Sequence, residues 1–403
     1  MLILNTHADH GRPLTPDDAS LLGPEGTDVV AQYLALRSDH ARTPLVTLPG
    51  LAKRLGVGAL HVKDEGQRLG LGSFKALGGA YAVMRLTLEE ASRRLGRPIA
   101  ISELSSPAVR EIAGSLVFAC ATDGNHGRSV AQGAQFVGAA SVVFVHARVS
   151  DSRVAAIARF GARMVRVAGT YDDSVAEAAS VAAANGWTVV SDTSWPGYDR
   201  IPSLVMQGYT VLVQEALQQL PSPPTHVFVQ AGVGGIAAAA AGHLAVTLGD
   251  KRPTFVVVEP SRAACLFETV KAGHPVKVPD GEPTVMAMLE CYEPSLAAWR
   301  VLAHVADAFM TVEDEDAIAA VRRLANPETG DIPVVAGESG CVGLAGLTCI
   351  AGDTDLRARI GLDADARVLI VNTEGATDPA RYTELVGRTP QEVLGAARAQ
   401  PPA

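Results

Sequence analysis

The sequence predicts an α/β protein whose mainly parallel sheet carries helices on both faces. Two observations lead there: apolar, β-branched runs of strand length alternate with Ala-rich segments of helical length, and no fixed-period repeat points to a solenoid instead. Taken in order, SVVFVHA (141–147) reads as a strand and VAAIARFGA as the helix after it. ARMVRVAG is followed by DDSVAEAASVAAANG, HVFVQAG by GGIAAAAAGHLAVTLG, and TFVVVEP by AACLFETVKAG; RVLIVNTEG at 367–375 closes the series. Val, Ile and Phe suit a pleated, buried surface and Ala suits a helix, so each pair forms a βαβ unit around a sheet covered on both sides. Pro-bearing breaks at LPSPPTH (220–226) and PGYDRIP (196–202) interrupt the pattern. They mark out a smaller α/β unit, residues 84–204, inserted between residues 1–83 and 205–403 of a larger one.

Composition narrows the function classes. A chain of 403 residues, 48% hydrophobic and 19% charged, has the makeup of a globular enzyme of one domain or two. Its net charge of -9 argues against a nucleic-acid partner, which needs a basic surface to neutralise phosphates. MLILNTHADH lacks the basic start and apolar length of a signal peptide, and no apolar stretch is long enough to span a membrane. Five cysteines without CxxC spacing suggest neither a disulfide framework nor a zinc site. The expectation is a reducing cytoplasm, with Cys265 and Cys291 as ordinary thiols.

Four stretches carry chemistry. In GSFKALGGAY (72–81), Lys75 sits among Gly, Ala, Leu and aromatic residues, where an ammonium group is costly unless paired or covalently used. It lies either on an exposed helix face or in a pocket as a Schiff-base lysine. In ATDGNHGRSVAQGAQFVGA (121–139), Gly124 and Gly127 permit a tight turn whose amides can hold a carboxylate at a helix start. The alternative is an Asx turn in which Asp123 and Asn125 only cap the helix. In HVFVQAGVGGIAAAA, Gly232, Gly234 and Gly235 let phosphate oxygens approach bare backbone, although such a turn also serves close packing. Ala237 in the third-glycine register and Glu259 after TFVVV keep a dinucleotide reading open. SDTSWPGYDRIPSLVMQGY (191–209) reads as a shaped loop in which Asp192 either neutralises a substrate ammonium group or caps a helix.

In this order, with RTPLVTL (42–48), VVVEPSRAAC, GESGCVGLAG (337–346) and NTEGATDP (372–379), the segments resemble the fold-type II family of pyridoxal phosphate enzymes. The resemblance spans nearly all the chain except the first forty residues and the tail. The pattern DTSWxGYxxIPxxxMQGY is similar to that of members acting on 2,3-diaminopropionate. It implies two open, twisted, mainly parallel sheets flanked by helices, with pyridoxal 5'-phosphate as cofactor and no metal. It also implies an amino-acid substrate and a homodimer.

The resemblance implies roles residue by residue. Lys75 holds the cofactor and, once displaced by substrate amine, acts as base at Cα; Phe74 lies beside it. Gly232, Val233, Gly234 and Gly235 cradle the phosphate, Asn125 bonds the phenolic oxygen, and Thr373 presents a hydroxyl to the pyridine nitrogen. Gly124 and His126 belong to the turn that receives the substrate carboxylate. Asp123 stands where most relatives carry a small hydroxyl residue and is expected to be a second acid or base opposite Lys75, serving the other enantiomer. Asp192 is expected to recognise the β-ammonium group. The implied reaction is α,β-elimination of 2,3-diaminopropionate to pyruvate and two ammonia. A serine or threonine dehydratase and a non-catalytic homologue are the alternatives. Pro196 departs from the family, which commonly has an acidic residue there, and leaves open which β-substituent fits.

Overall fold

A computed structural model describes residues 1–122 and 124–399. The chain forms two compact units: one comprises Met1–Gly26, Ala41–Phe74 and Thr210–Ala403, the other Thr27–His40 and Lys75–Tyr209. In chain order the strands are β1 (Leu2–Leu4), β2 (Leu45–Thr47), β3 (Ala59–Asp64), β4 (Val117–Ala121), β5 (Ala140–His146), β6 (Arg163–Val167), β7 (Thr188–Val189), β8 (His226–Gln230), β9 (Thr254–Pro260), β10 (Ala308–Val312) and β11 (Arg367–Asn372).

The larger unit holds the sheet β1-β10-β9-β8-β11-β3-β2, parallel except for β1 and β2 at its two edges. Its inner strands are almost wholly apolar because helices cover both faces. Val62, Phe228, Val256, Val258 and Ile370 lie in one core with Leu344 and Leu347 of the helix Val342–Ala351. The register sets Asn372 at the end of β11 beside Asp64 at the end of β3. The segments leaving β3, β8 and β11 therefore start from one carboxyl edge, where open α/β sheets bind ligands.

The smaller unit holds β6-β5-β4-β7, all parallel, on a core of Ala119, Val142, Phe144, Ala178 and Ala182. Its helices Lys75–Leu95 and Asn125–Val137 meet through small residues. A Cβ on Gly133 would lie 2.6 Å from Ala80 Cα, and one on Gly79 would lie 2.9 Å from Ser129 Oγ. Ser129 Oγ accepts from the Ala80 N–H at 3.0 Å at the same crossing. Tyr33, from the detached segment Thr27–His40, packs edge-on against Tyr81 and Phe136. Among the described residues no helix is long and apolar enough to cross a membrane.

Candidate active site

Strands β4 and β7 are neighbours, so the turns that leave their carboxyl ends emerge side by side. After β4, Thr122 Oγ1 accepts from the N–H groups of Gly124 and Gly127 at 3.0 and 3.1 Å, and the helix begins at Asn125. The hydroxyl of Thr122 thus organises this turn. Asp123 lies outside the described residues. After β7, the loop reaches Asp192 and reverses at Trp195–Tyr198, where the two residues bond backbone to backbone and their rings stack at 4.1 Å. Pro196 followed by Gly197 at φ +82° suits a type II turn, which accounts locally for the proline.

Lys75 is the first residue of its helix and its side chain is only 25% exposed, so it does not lie on an open face. Its ammonium pairs with the carboxylate of Asp192. His126 completes the cluster: Nε2 lies 2.8 Å from the Val190 carbonyl, an acceptor only, and therefore carries a hydrogen. Nδ1 then faces Asp192 Oδ2 at 3.8 Å. Burial opposes the charge on Asp192, but the electrostatic influence of neighbouring His126 and Lys75, with the hydrogen bond from Lys75, holds its carboxyl below the usual carboxylate range. This corner of the smaller unit is a carboxylate receptor occupied by an ammonium group.

In the larger unit, β8 ends at Gln230 and the helix Gly235–Leu248 follows the glycine turn. Gly234 has φ +103°, and a Cβ there would press Leu266 and Ala298 at 3.1 Å; a Cβ on Gly232 would meet Cys291 Sγ at 2.9 Å. Close packing therefore requires both glycines. The helix start is buried and has no side-chain cap, so its first N–H groups await an acceptor, which is the condition a phosphate meets. Thr373 follows β11; its N–H donates to the Gly340 carbonyl and its carbonyl accepts from the Phe74 N–H, each at 2.9 Å. Gln230 Nε2 donates to Thr373 Oγ1 at 2.8 Å.

The segment between β3 and Phe74 is tied down by buried charge. Arg68 forks onto Glu65 at 2.7 and 2.8 Å and onto Glu215 at 2.7 and 2.9 Å, while Lys63 bonds Glu215 at 2.8 Å. Thr43 Oγ1 donates to Glu65 at 2.5 Å. Each charge is thereby paired, as burial demands.

The structure thus brings Lys75, His126 and Asp192 together, with Gly124 and Asn125 in the adjoining turn; Phe74, Thr373 and Gly232–Gly235 belong to the other unit. Sequence reasoning missed two residues. Tyr198 OH donates to the Val189 carbonyl at 2.8 Å and accepts from the Ser191 N–H at 3.1 Å, bracing the loop next to Asp192. Gln230 is the other, and its signal was one polar side chain ending an apolar strand.

Comparison with known proteins agrees with this geometry. Residues 36–374 match the family described as pyridoxal-phosphate dependent enzyme. The diaminopropionate ammonia-lyase of Salmonella typhimurium is 38% identical over 91% of this chain and 93% of its own. That of Escherichia coli K12 is 38% identical over 85% of this chain and 87% of its own. The crystal structure of the Escherichia coli enzyme in complex with an aminoacrylate-PLP azomethine reaction intermediate superposes with a TM-score of 0.84, at 34% identity, covering 96% of this chain and 97% of that one. The uncapped glycine turn and the half-buried, paired lysine fit pyridoxal phosphate, the cofactor of these relatives. The chain belongs to the pyridoxal-phosphate dependent enzyme family, in the branch of the diaminopropionate ammonia-lyases.

Proposed function

We propose that this protein is a pyridoxal phosphate-dependent lyase that converts 2,3-diaminopropionate to pyruvate and two molecules of ammonia. The observation that carries the proposal is the pairing of the Asp192 carboxylate with the ammonium of Lys75 itself, which sets an ammonium-binding anion next to the cofactor lysine. A substrate that loses a hydroxyl needs no carboxylate at that place. One that carries a second ammonium needs an anion there, and the carboxyl of Asp192, held below the usual carboxylate range while it faces an ammonium group, supplies it.

Lys75 binds the cofactor and later takes the α-proton with its freed amine. When bound, pyridoxal phosphate supplies the electron sink for negative charge at the substrate's α-carbon. Asp192 orients the β-ammonium and keeps it charged, so that it departs as a neutral amine only when the Cβ–N bond breaks. His126, held by the Val190 carbonyl, sets its Nδ1 3.8 Å from the same carboxylate oxygen, Oδ2, that pairs with Lys75. Gly232–Gly235 would donate N–H groups to the phosphate, Asn125 would bond the phenolic oxygen, and the turn with Gly124 would receive the substrate carboxylate. The released 2-aminoacrylate hydrolyses in water to pyruvate and the second ammonia. Asp123 is the proposed acid or base for the second enantiomer. A cytoplasmic homodimer completes the reading; the free state of all five cysteines suits a reducing compartment.

The test is pyruvate release by the purified protein from both isomers of 2,3-diaminopropionate, from serine and from threonine. Diaminopropionate is expected to be the preferred substrate. Asp192→Asn should lower its turnover by about 10²-fold or more; an undiminished rate would remove the assigned role. Asp123→Asn should lose the D isomer selectively, and equal loss on both isomers would end the two-base reading.

A further inference from the structure

Gln230 is fully buried at the end of β8, and its amide meets groups whose hydrogen-bonding character admits one arrangement only. The Gly343 N–H can only donate, so the atom facing it at 3.1 Å is Oε1. The Gly340 and Val371 carbonyls can only accept, so the atom facing them at 2.5 and 3.1 Å is Nε2. These three backbone partners fix which end of the amide is nitrogen. The two hydrogens of that Nε2 face three oxygens; Gly340 O at 2.5 Å and Thr373 Oγ1 at 2.8 Å are nearer than Val371 O at 3.1 Å, so the hydroxyl oxygen serves as an acceptor on that side and the longer Val371 contact shares a hydrogen. A hydroxyl has one hydrogen, and that of Thr373 meets no acceptor among the described residues. The main chain of Thr373 is pinned on both sides by Gly340 and Phe74, which fixes the point from which its side chain departs.

We propose that Gln230 is a positioning residue that locks Thr373 as a hydrogen-bond donor, so that the ring nitrogen of the bound cofactor is held as an unprotonated acceptor. The inference rests on Thr373 being the partner of that nitrogen, and it adds what sets the direction of the bond. Without a fixed donor behind it, the Thr373 hydroxyl could turn its hydrogen away from the ring nitrogen and offer that nitrogen a lone pair. Such a lone pair would favour a protonated ring. The lock therefore acts on the cofactor's electronics from a residue that does not touch the substrate.

The test is the ring-nitrogen resonance of ¹⁵N-labelled pyridoxal phosphate in the substrate-free holoenzyme. In the unaltered protein it should stand at the unprotonated pyridine position. In Gln230→Glu, an oxygen replaces Nε2, Thr373 gains an acceptor behind it, and the resonance should move toward the pyridinium position. In a Thr373→Val background the Gln230→Glu change should produce no further movement, whereas Thr373→Ser alone should leave the resonance in place. Should Gln230→Glu fail to fold, Gln230→Leu serves instead, with an expected loss of about tenfold in cofactor affinity and a displaced resonance. A protonated ring in the unaltered holoenzyme, or an unmoved resonance in a folded, cofactor-loaded Gln230 variant, would overturn the proposal. Failure of the unaltered protein to bind the cofactor at Lys75 would instead overturn the reading on which it rests.

Discussion

Tyr198 satisfies two backbone groups with one oxygen, donating to Val189 and accepting from Ser191, the residue before Asp192. Burial pushes its phenol up, so the hydroxyl keeps its hydrogen and both bonds persist at any pH at which an amino acid is degraded. Removing that oxygen strands both groups while preserving the ring that stacks on Trp195. Tyr198→Phe is therefore expected to cost about 1 kcal/mol and to loosen the placement of Asp192, lowering kcat/KM for diaminopropionate about tenfold. Steady-state kinetics of that variant decide it; unchanged kcat/KM would mean that the loop is held by its type II turn and stacking alone.

The helix pair Lys75–Leu95 and Asn125–Val137 carries Lys75 at one start and Asn125 at the other, and its close crossing depends on residues without bulk. Because the Cβ of Gly133→Ala would strike backbone at Ala80, relief cannot come from a rotating side chain. The substitution should destabilise the smaller unit by about 1–3 kcal/mol, seen as a lower midpoint in chemical denaturation. In the larger unit, the segment leading from β3 to Phe74 relies on the buried charges of Arg68, Glu65 and Glu215. Arg68→Met leaves two carboxylates facing Lys63 alone, and a loss of about 3–5 kcal/mol is expected in the same measurement. A loss below about 1 kcal/mol would show that water replaces the guanidinium at little cost.

Over the whole molecule, one buried carboxyl should bend the dependence of stability on pH. Burial pushes Glu259 up to about 8 from an ordinary value of 4.5, against the opposing N–H bonds from Leu266 and Phe267. A raised carboxyl binds its proton more tightly when folded. Its contribution is full below the unfolded value and is lost as the pH climbs toward the folded one. Stability should thus fall across that window, and Glu259→Gln should flatten the fall. Urea denaturation at about pH 5 and about pH 8 for both proteins checks it; identical slopes would show the carboxyl to be ionised in the folded state.

The strand–helix alternation was legible because each β-branched run and each Ala-rich run is long enough to declare its own period, as in SVVFVHA against β5 and TFVVVEP against β9. Lys75 and the glycine turn were legible for a similar reason: a charge amid apolar neighbours and glycines after a strand are local anomalies. The short edge strands β1 and β2, of three residues each, left no such mark, since their pairing is with residues far along the chain. The residues alone left Lys75 open between an exposed helix face and a buried Schiff base, and Asp192 open between a cap and an ammonium receptor. Folding set the surroundings of both: the adjacency of β4 and β7 puts Asp192 beside His126, and the ammonium of Lys75 pairs with that carboxylate instead of facing open solvent. The sequence by itself determined which chemical groups the protein owns and the periodicity that makes it α/β. Only the tertiary structure decided which of those groups face one another, since donor, acceptor and charge partners such as Gln230 and Thr373 lie 143 residues apart and meet only once the sheet has formed.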